Sequence, residues 1–282
     1  MVSGAGGMLG QDLVSALELA GEAVVGLARN DLDITDEVAM SRVLQAHRPD
    51  IVVNCAGWTA VDDAEEHEDE ALLVNGVGVG QLAKGCAAAG ARLVHISTDY
   101  VFGGDAGQPY SEHAAPGPRT AYGRTKLVGD QAVLRLLPET GYVVRTAWLY
   151  GAHGPNFVRT MIRLEREQPT VDVVDDQRGQ PTWTVDVARQ IVGLVNSPAG
   201  AGIYHVTSSG ETTWFEFARE IYRLLGADPA RVRATTSSAY PRPAARPTYS
   251  VLGRDAWVKT GIEPIGHWRR ALRKAFPVLL AG

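Results

Sequence analysis

Met1-Val2-Ser3 runs directly into Gly4-Ala5-Gly6-Gly7-Met8-Leu9-Gly10, and an apolar helical period follows at once, with Leu9, Leu13 and Leu17 four apart and a stop at Gly21. Gly4, Gly7 and Gly10 make a G-x-x-G-x-x-G spacing between a strand and a helix. Glycine lets the backbone turn tightly and approach a pyrophosphate, whose charge then rests on the helix N-terminus. An ordinary turn can carry the same triplet; its place at the first strand–helix junction gives it weight. Only three residues precede the loop, against the usual ~5–6 of a strand. The first strand is therefore expected to be short, or to begin upstream of residue 1.

Alternation continues outward from this loop. Ala23–Leu27 is a short apolar run, Asp36–His47 a helix, and Ile51–Cys55 a β-branched strand bounded by Pro49 and Gly57. A long helix is expected over Glu65–Ala89, a strand over Arg92–Ser97, a helix over Ala121–Leu137 and a strand over Tyr142–Ala147. Strands that alternate with helices, and that are apolar throughout, predict an α/β fold: a Rossmann-type doubly wound parallel sheet covered on both faces. Beyond Trp148 the pattern loosens. Helices are expected at Asn156–Glu167, Val185–Val195, Trp214–Leu225 and His267–Ala275, and strands at Thr170–Val174 and Ile203–Val206. Thr213 and Glu216 form a capping-box signature. Tyr240–Pro247 reads as an ordered loop. The division expected is a dinucleotide-binding domain over 1–150 and a smaller C-terminal lobe over 151–282, with some segments returning to the first.

Composition excludes several classes. The chain has 282 residues, 45% hydrophobic and 21% charged, as a folded globular protein does. A net charge of −5 argues against nucleic acid and anionic membranes as partners. No apolar run approaches the ~18 residues of a membrane span, and Met1–Gly4 does not resemble a secretory signal. Cys55 and Cys86 are too few for a disulfide framework and match no metal spacing. These features predict a cytoplasmic protein, monomer or homodimer, with no metal.

Three groups carry candidate chemistry. At the end of the second strand an acid favours a free ribose 2′-hydroxyl and an arginine favours a 2′-phosphate. The sequence there is Leu27-Ala28-Arg29-Asn30, so Arg29 points to NADPH, with NADH the alternative. Tyr122 and Lys126 stand at i and i+4 in a predicted helix and so share one face. A ketone reductase needs a proton donor at the carbonyl oxygen, and a nearby ammonium would lower the ~10 pKa of a free tyrosine. Random placement of nine tyrosines and four lysines gives well under one such pair. Thr98, in Ser97-Thr98-Asp99-Tyr100, follows the fourth strand, where parallel sheets place ligands.

Glycine loop, strand-end threonine and Tyr-x-x-x-Lys, in this order, resemble an extended short-chain dehydrogenase/reductase. Further stretches narrow the resemblance to the dTDP-4-dehydrorhamnose reductase family: Leu32-Asp33-Ile34-Thr35-Asp36, Thr59-Ala60-Val61-Asp62, His95-Ile96-Ser97-Thr98-Asp99-Tyr100-Val101-Phe102, Arg145-Thr146-Ala147-Trp148, Asn156-Phe157, Asp176-Gln177-Arg178-Gly179-Gln180-Pro181-Thr182 and Arg246-Pro247. They span essentially the whole chain. The resemblance implies NAD(P)H-dependent reduction of the C4 ketone of a dTDP-4-keto-6-deoxyhexose, dTDP-4-dehydro-L-rhamnose first among them. It implies Tyr122 as proton donor, Lys126 as the residue that orients the nicotinamide ribose and lowers the Tyr122 pKa, and Thr98 as the group that tunes the tyrosine. Gly7-Met8-Leu9, Asp33-Ile34 and Gly57-Trp58-Thr59 would line the cofactor. Thr98, Asp99, Trp148, Asn156, Gln180 and Arg246 would meet the dTDP-sugar.

There are departures. After Asn54 the family has small residues, often ending in tyrosine; here Cys55-Ala56-Gly57-Trp58 places a bulkier ring. Asp63 stands where the family often has lysine. Related readings keep the fold and change the role: a sister reductase of an antibiotic-sugar pathway, such as that of dTDP-dihydrostreptose, a nucleotide-sugar epimerase, or a noncatalytic regulatory subunit. Intact Thr98, Tyr122 and Lys126 speak against the last.

Overall fold

The computed structural model describes residues 1–281. Strand β1 (Val2–Ser3) is two residues long, yet it is hydrogen-bonded on both sides. Val2 and Ser3 pair in parallel with Gly26 and Leu27 of β2 (Gly26–Leu27) and with Val53 and Asn54 of β3 (Ile51–Asn54). Next come β4 (Arg92–Thr98) and β5 (Gly141–Thr146). Strands β6 (Leu149–Tyr150), β7 (Val171–Val174), β8 (Arg178–Gly179) and β9 (Thr182–Trp183) lie outside the central sheet. β10 (Gly202–His205) returns to it and pairs with β5. The central sheet is parallel, in the order β10-β5-β4-β3-β1-β2. From β1 the chain steps to β2 on one side and then crosses to β3 on the other. That reversal opens a crevice at the carboxyl ends of the strands, the ligand position of open α/β sheets. This is a Rossmann-type doubly wound arrangement.

Side-chain alternation along the strands feeds two cores. Val53, Val94, Tyr142 and Val144 pack against Leu9, Leu13 and Leu17 of α1 (Met8–Leu19) and Val187, Ile191 and Leu194 of α7 (Thr184–Val195). Val52, Leu93 and Val143 point the other way. They meet Met40 and Leu44 of α2 (Glu37–His47), Leu82 and Cys86 of α4 (Val79–Ala89), and Val133 of α5 (Ala121–Leu136). α7 therefore packs on the first-half sheet although it lies far along the sequence. A third core gathers α6 (Phe157–Glu167), α8 (Trp214–Leu224) and α9 (Trp268–Ala281) around Phe217, Tyr222 and Trp268. β7 pairs with β12 (Val232–Thr235), β8 with β11 (Thr212–Thr213), and β6 with β9.

The expected helix over Glu65–Ala89 is interrupted. The chain forms a 3₁₀ turn (Asp63–Glu65), α3 (Glu68–Leu72), a π-helical turn (Leu73–Gly78) and then α4. Asn75, inside the π turn, is fully buried and uses its amide on the loop after β3 rather than on its own helix. The last expected helix also differs: it starts at Trp268 and continues through Pro277 to Ala281. Thr213 caps α8 as expected, its hydroxyl accepting from the Glu216 N–H at 3.2 Å. The Glu216 carboxylate accepts from the Thr212 hydroxyl instead of completing the box. No described helix is long and apolar enough to cross a membrane. Among the described residues no group of three His, Cys, Asp or Glu side chains could hold a metal.

Candidate active site

The carboxyl ends of β1, β3, β4 and β5 open into a cavity of about 1050 Å³. One end is made of backbone. Gly7 caps α1 in an extended conformation, and no side chain satisfies the first N–H groups of that helix. No acidic residue occupies its first turn. Gly7, Met8, Leu9 and Gly10 line the cavity, so free N–H groups and the positive end of the helix dipole face it. The turn closes because a Cβ on Gly10 would collide with the Gly4 carbonyl oxygen. Gly4 itself holds φ +70° and lies against the backbone of Cys55 and Ala56. Gly57, Trp58 and Thr59 line the next stretch. Asn75 clamps this loop: its Oδ1 accepts from the Trp58 N–H at 2.9 Å, and its Nδ2 donates to the Trp58 carbonyl at 3.1 Å. An uncapped helix end, a glycine turn and a clamped loop fit a dinucleotide diphosphate.

The floor between the two ends carries Thr98, Tyr122 and Lys126. Thr98 is the last residue of β4, and its hydroxyl donates to Asp99 Oδ1 at 3.0 Å. α5 begins at Thr120, whose side chain accepts from the Gly123 N–H at 3.0 Å. Gly123 lets that first turn lie against the Tyr100 carbonyl oxygen, where a Cβ would clash. Tyr122 thereby lines the same floor as Thr98. The Tyr100 ring meets the Tyr122 ring edge-on at 5.6 Å. One turn further on, Lys126 Nζ donates to the Ile96 carbonyl at 2.6 Å and stands 3.2 Å from His95 Nε2.

Burial governs the titration of this floor. It pushes Tyr122 above the ordinary tyrosine value, and the charges of Asp99 and Asp130 add to the rise. Lys126 is not among the groups that shift Tyr122 in the chain without cofactor. Lys126 is itself buried and lowered to about 8, with Asp130 and Cys55 opposing the shift. Burial raises Asp99 to about 6 against hydrogen bonds from Ser250 and Thr98. The Cys55 thiol is pushed up to about 12 by burial and so stays protonated.

The far end is made of side chains from separate segments. Trp148 holds φ +48°, rare for a non-glycine residue. Its indole stacks on Trp214 with centroids 3.6 Å apart, and its other face lies on the backbone of Gly179. Asp62, after β3, ties down the loop 240–247: it accepts from the Ala244 N–H at 3.2 Å and from Arg246 Nη2 at 2.7 Å. Gln177, Ser237, Tyr240 and Arg242 line the same end. Gln177 Nε2 donates to the Ser237 hydroxyl at 2.8 Å.

Several expected contacts lie elsewhere. Gln180 does not line the cavity. It is buried, its Nε2 donates to the Ser208 and Leu252 carbonyls, and its Oε1 accepts from the Leu252 N–H. Asn156 caps α6, accepting from the Arg159 N–H, and donates to the Gly151 and Gly154 carbonyls. Ile34 belongs to the core. Asp33 is exposed and folded onto the Thr35 N–H and hydroxyl. Arg29 is exposed beyond β2, outside the lining residues, and close enough to Asp33 to lower its pKa. The acid nearest the end of β2, Asp31, is turned back onto the Ala28 N–H. Asn75, Asp62, Trp214 and Ser250 were not anticipated as site residues. A polar residue inside a helix was the one visible signal, for Asn75.

A family model described as "RmlD substrate binding domain" matches residues 1–280. The chain is 56% identical to a dTDP-4-dehydrorhamnose reductase of Streptomyces griseus, over 99% of this chain and 93% of that protein. It is also 56% identical to a dTDP-4-keto-6-deoxy-D-glucose reductase of Streptomyces niveus, over 100% and 97%. The crystal structure of a dTDP-4-dehydrorhamnose reductase from Bacillus anthracis, in complex with NADP, superposes with a TM-score of 0.94 at 36% identity, covering 98% of this chain and 97% of that one. Match length, identity and shared architecture together place the chain in the RmlD substrate binding domain family, that of the dTDP-4-dehydrorhamnose reductases.

Proposed function

We propose that this protein reduces the C4 ketone of a dTDP-4-keto-6-deoxyhexose, with NADPH as the reductant. The observation that carries this is the floor of the cavity, where Thr98, Tyr122 and Lys126 meet between an uncapped helix N-terminus and a wall of stacked tryptophans. Residues 1–150 would hold the cofactor and most of 151–282 the nucleotide-sugar, with α7 and β10 returning to the first part. NADPH supplies the hydride when bound. Its diphosphate fits the N–H groups at Met8 and Leu9, and Gly57–Thr59 would flank it. Arg29, beyond β2, would meet the 2′-phosphate.

Tyr122 donates its proton to the ketone oxygen. Its raised pKa keeps the phenol protonated across the neutral range. The Thr98 hydroxyl holds the phenol in place, and Asp99 fixes the Thr98 hydroxyl by accepting from it. Lys126 sits one helical turn along the same face and would hold the ribose hydroxyls. Trp148 and Arg246 contact the nucleotide-sugar.

Identical similarity to two reductases of differently named sugars leaves two substrates to compare. The test is NADPH or NADH oxidation with dTDP-4-keto-6-deoxyglucose, with and without a 3,5-epimerase, and NMR of the product. Epimerase-dependent oxidation to dTDP-L-rhamnose is expected. Epimerase-independent oxidation would assign the protein to a sister sugar with the same chemistry. No oxidation with either cofactor would overturn the proposal.

A further inference from the structure

His95 lies in the middle of β4, fully buried, and one of its nitrogens faces Lys126. Hydrogen-bond accounting fixes which atom carries its proton. The Ala56 N–H can only donate, and it reaches Asn54 Oδ1 at 3.1 Å. The Ser3 hydroxyl donates to the same oxygen at 2.8 Å. Asn54 must therefore turn its Nδ2 amide toward His95, whose Nδ1 lies 3.1 Å away. Nδ1 accepts and carries no proton. A neutral imidazole then carries its proton on Nε2, the atom 3.2 Å from Lys126 Nζ.

Two donors cannot share that line. Lys126 as an ammonium would set an N–H against the Nε2–H of His95. Lys126 as an amine has one lone pair to accept from Nε2–H and two protons, one of which goes to the Ile96 carbonyl at 2.6 Å. Asp130, on the same helix as Lys126, offers His95 no alternative: its Oδ1 is 4.0 Å from Nε2, and its Oδ2 is held by Arg145 Nε at 3.1 Å. Swapping the imidazole tautomer would drive Nδ1–H into the Asn54 amide, and flipping that amide would orphan the Ala56 N–H.

We propose that His95 is a positioning residue for Lys126, its Nε2–H bond to the lysine nitrogen favouring the uncharged amine and holding it over the cavity floor. This rests on the role given to Lys126 above. The groups that face Lys126 are His95 from β4, Asp130 and Tyr122 from its own helix, and Cys55 from the loop after β3. The Cys55 thiol is protonated, and of the others only Asp130 favours the ammonium. The opposed burial shift of Lys126 agrees with the geometry, as does the neutrality that burial imposes on His95.

The chain has only four lysines, so the Cε signal of each can be followed by NMR in ¹³C-lysine-labelled full-length protein without cofactor. Lys126 is identified by the signal missing in Lys126→Met. In the wild type its midpoint should fall well below those of the other three. His95→Leu removes the N–H and leaves no donor there, and should raise the Lys126 midpoint by about one pH unit or more; His95→Gln, which can turn its amide NH₂ to the lysine, should move it less. A wild-type Lys126 that titrates with the other lysines overturns the inference without any variant of His95, as does a midpoint unmoved in His95→Leu. Retained turnover in Lys126→Met is a different result: it removes the catalytic role of Lys126 and leaves the titration to be read on its own.

Discussion

The two ends of the cavity are built from different materials. Around Gly7 the lining is main chain, held in place by contacts between backbones: Gly10 against Gly4, and Gly4 against Cys55 and Ala56. Around Trp148 the lining is side chain, drawn from α6, α8, β7 and the loop 240–247, and held by an ion pair and an aromatic stack. A backbone site recognises what every dinucleotide shares, its diphosphate, and tolerates little change. A side-chain site recognises what differs between sugars and nucleotides, and one residue can be exchanged without moving the others. Rigidity at one end and replaceability at the other suit one cofactor and many sugars.

The junction of the two ends gives the largest expected effect. Tyr122→Phe removes the proposed proton donor and should lower kcat about 10²–10⁴-fold, with NADPH affinity, measured by fluorescence titration, changed little. Near-normal turnover would remove Tyr122 from the chemistry and leave the floor with no donor. Gly10→Ala attacks the backbone end. The added Cβ meets the Gly4 carbonyl oxygen and should cost about 1–3 kcal/mol of stability, read by denaturant unfolding, together with weaker cofactor binding. If Gly10→Ala unfolds like the wild type, the two ends do not differ in tolerance as argued.

Trp148→Ala attacks the other end. It should raise KM for the dTDP-sugar about ten-fold while cofactor affinity and unfolding hold near the wild-type values. Equal damage to both ligands would show that the ends are mechanically coupled. Asp62→Asn loosens the hold on the 240–247 loop at a half-exposed ion pair and should raise the same KM only about two- to five-fold, the effect shrinking as salt is added.

Asp99 sharpens the comparison by pH. Its folded pKa is raised from 3.8 to about 6. The folded state therefore binds the proton more tightly, and this contribution to stability is present below about 3.8 and lost as pH rises through about 6. Asp99→Asn should abolish that loss, so its Tm relative to wild type should rise between pH 4 and 7 by about 2–4 °C.

The same division explains what could be read from the chain alone. Glycines at 4, 7 and 10 and the Tyr122–Lys126 pair act through local geometry, a turn and one helical face, and spacing reports local geometry. Arg246, Trp148 and Asp99 were reached through resemblance, since nothing in their neighbours along the chain shows what they face. Gln180 and Asn156 stood in equally recognisable stretches, yet their amides are spent on backbone groups. A motif records that a residue matters without saying whether it serves the ligand or the fold. Asn75 was hidden for another reason: periodicity over 65–89 reads as one helix, and a single π turn barely disturbs it.

That turn also has a history written into it. A π turn is an α-helix carrying one residue too many, a costly insertion that survives when it does something for function. Here it frees Asn75 to grip Trp58 from behind. A lineage that deleted one residue between Leu73 and Gly78 would recover a regular helix and let go of the loop after β3. The irregularity is the anchor, and a sequence repaired toward helical perfection would be a sturdier protein with a slack site.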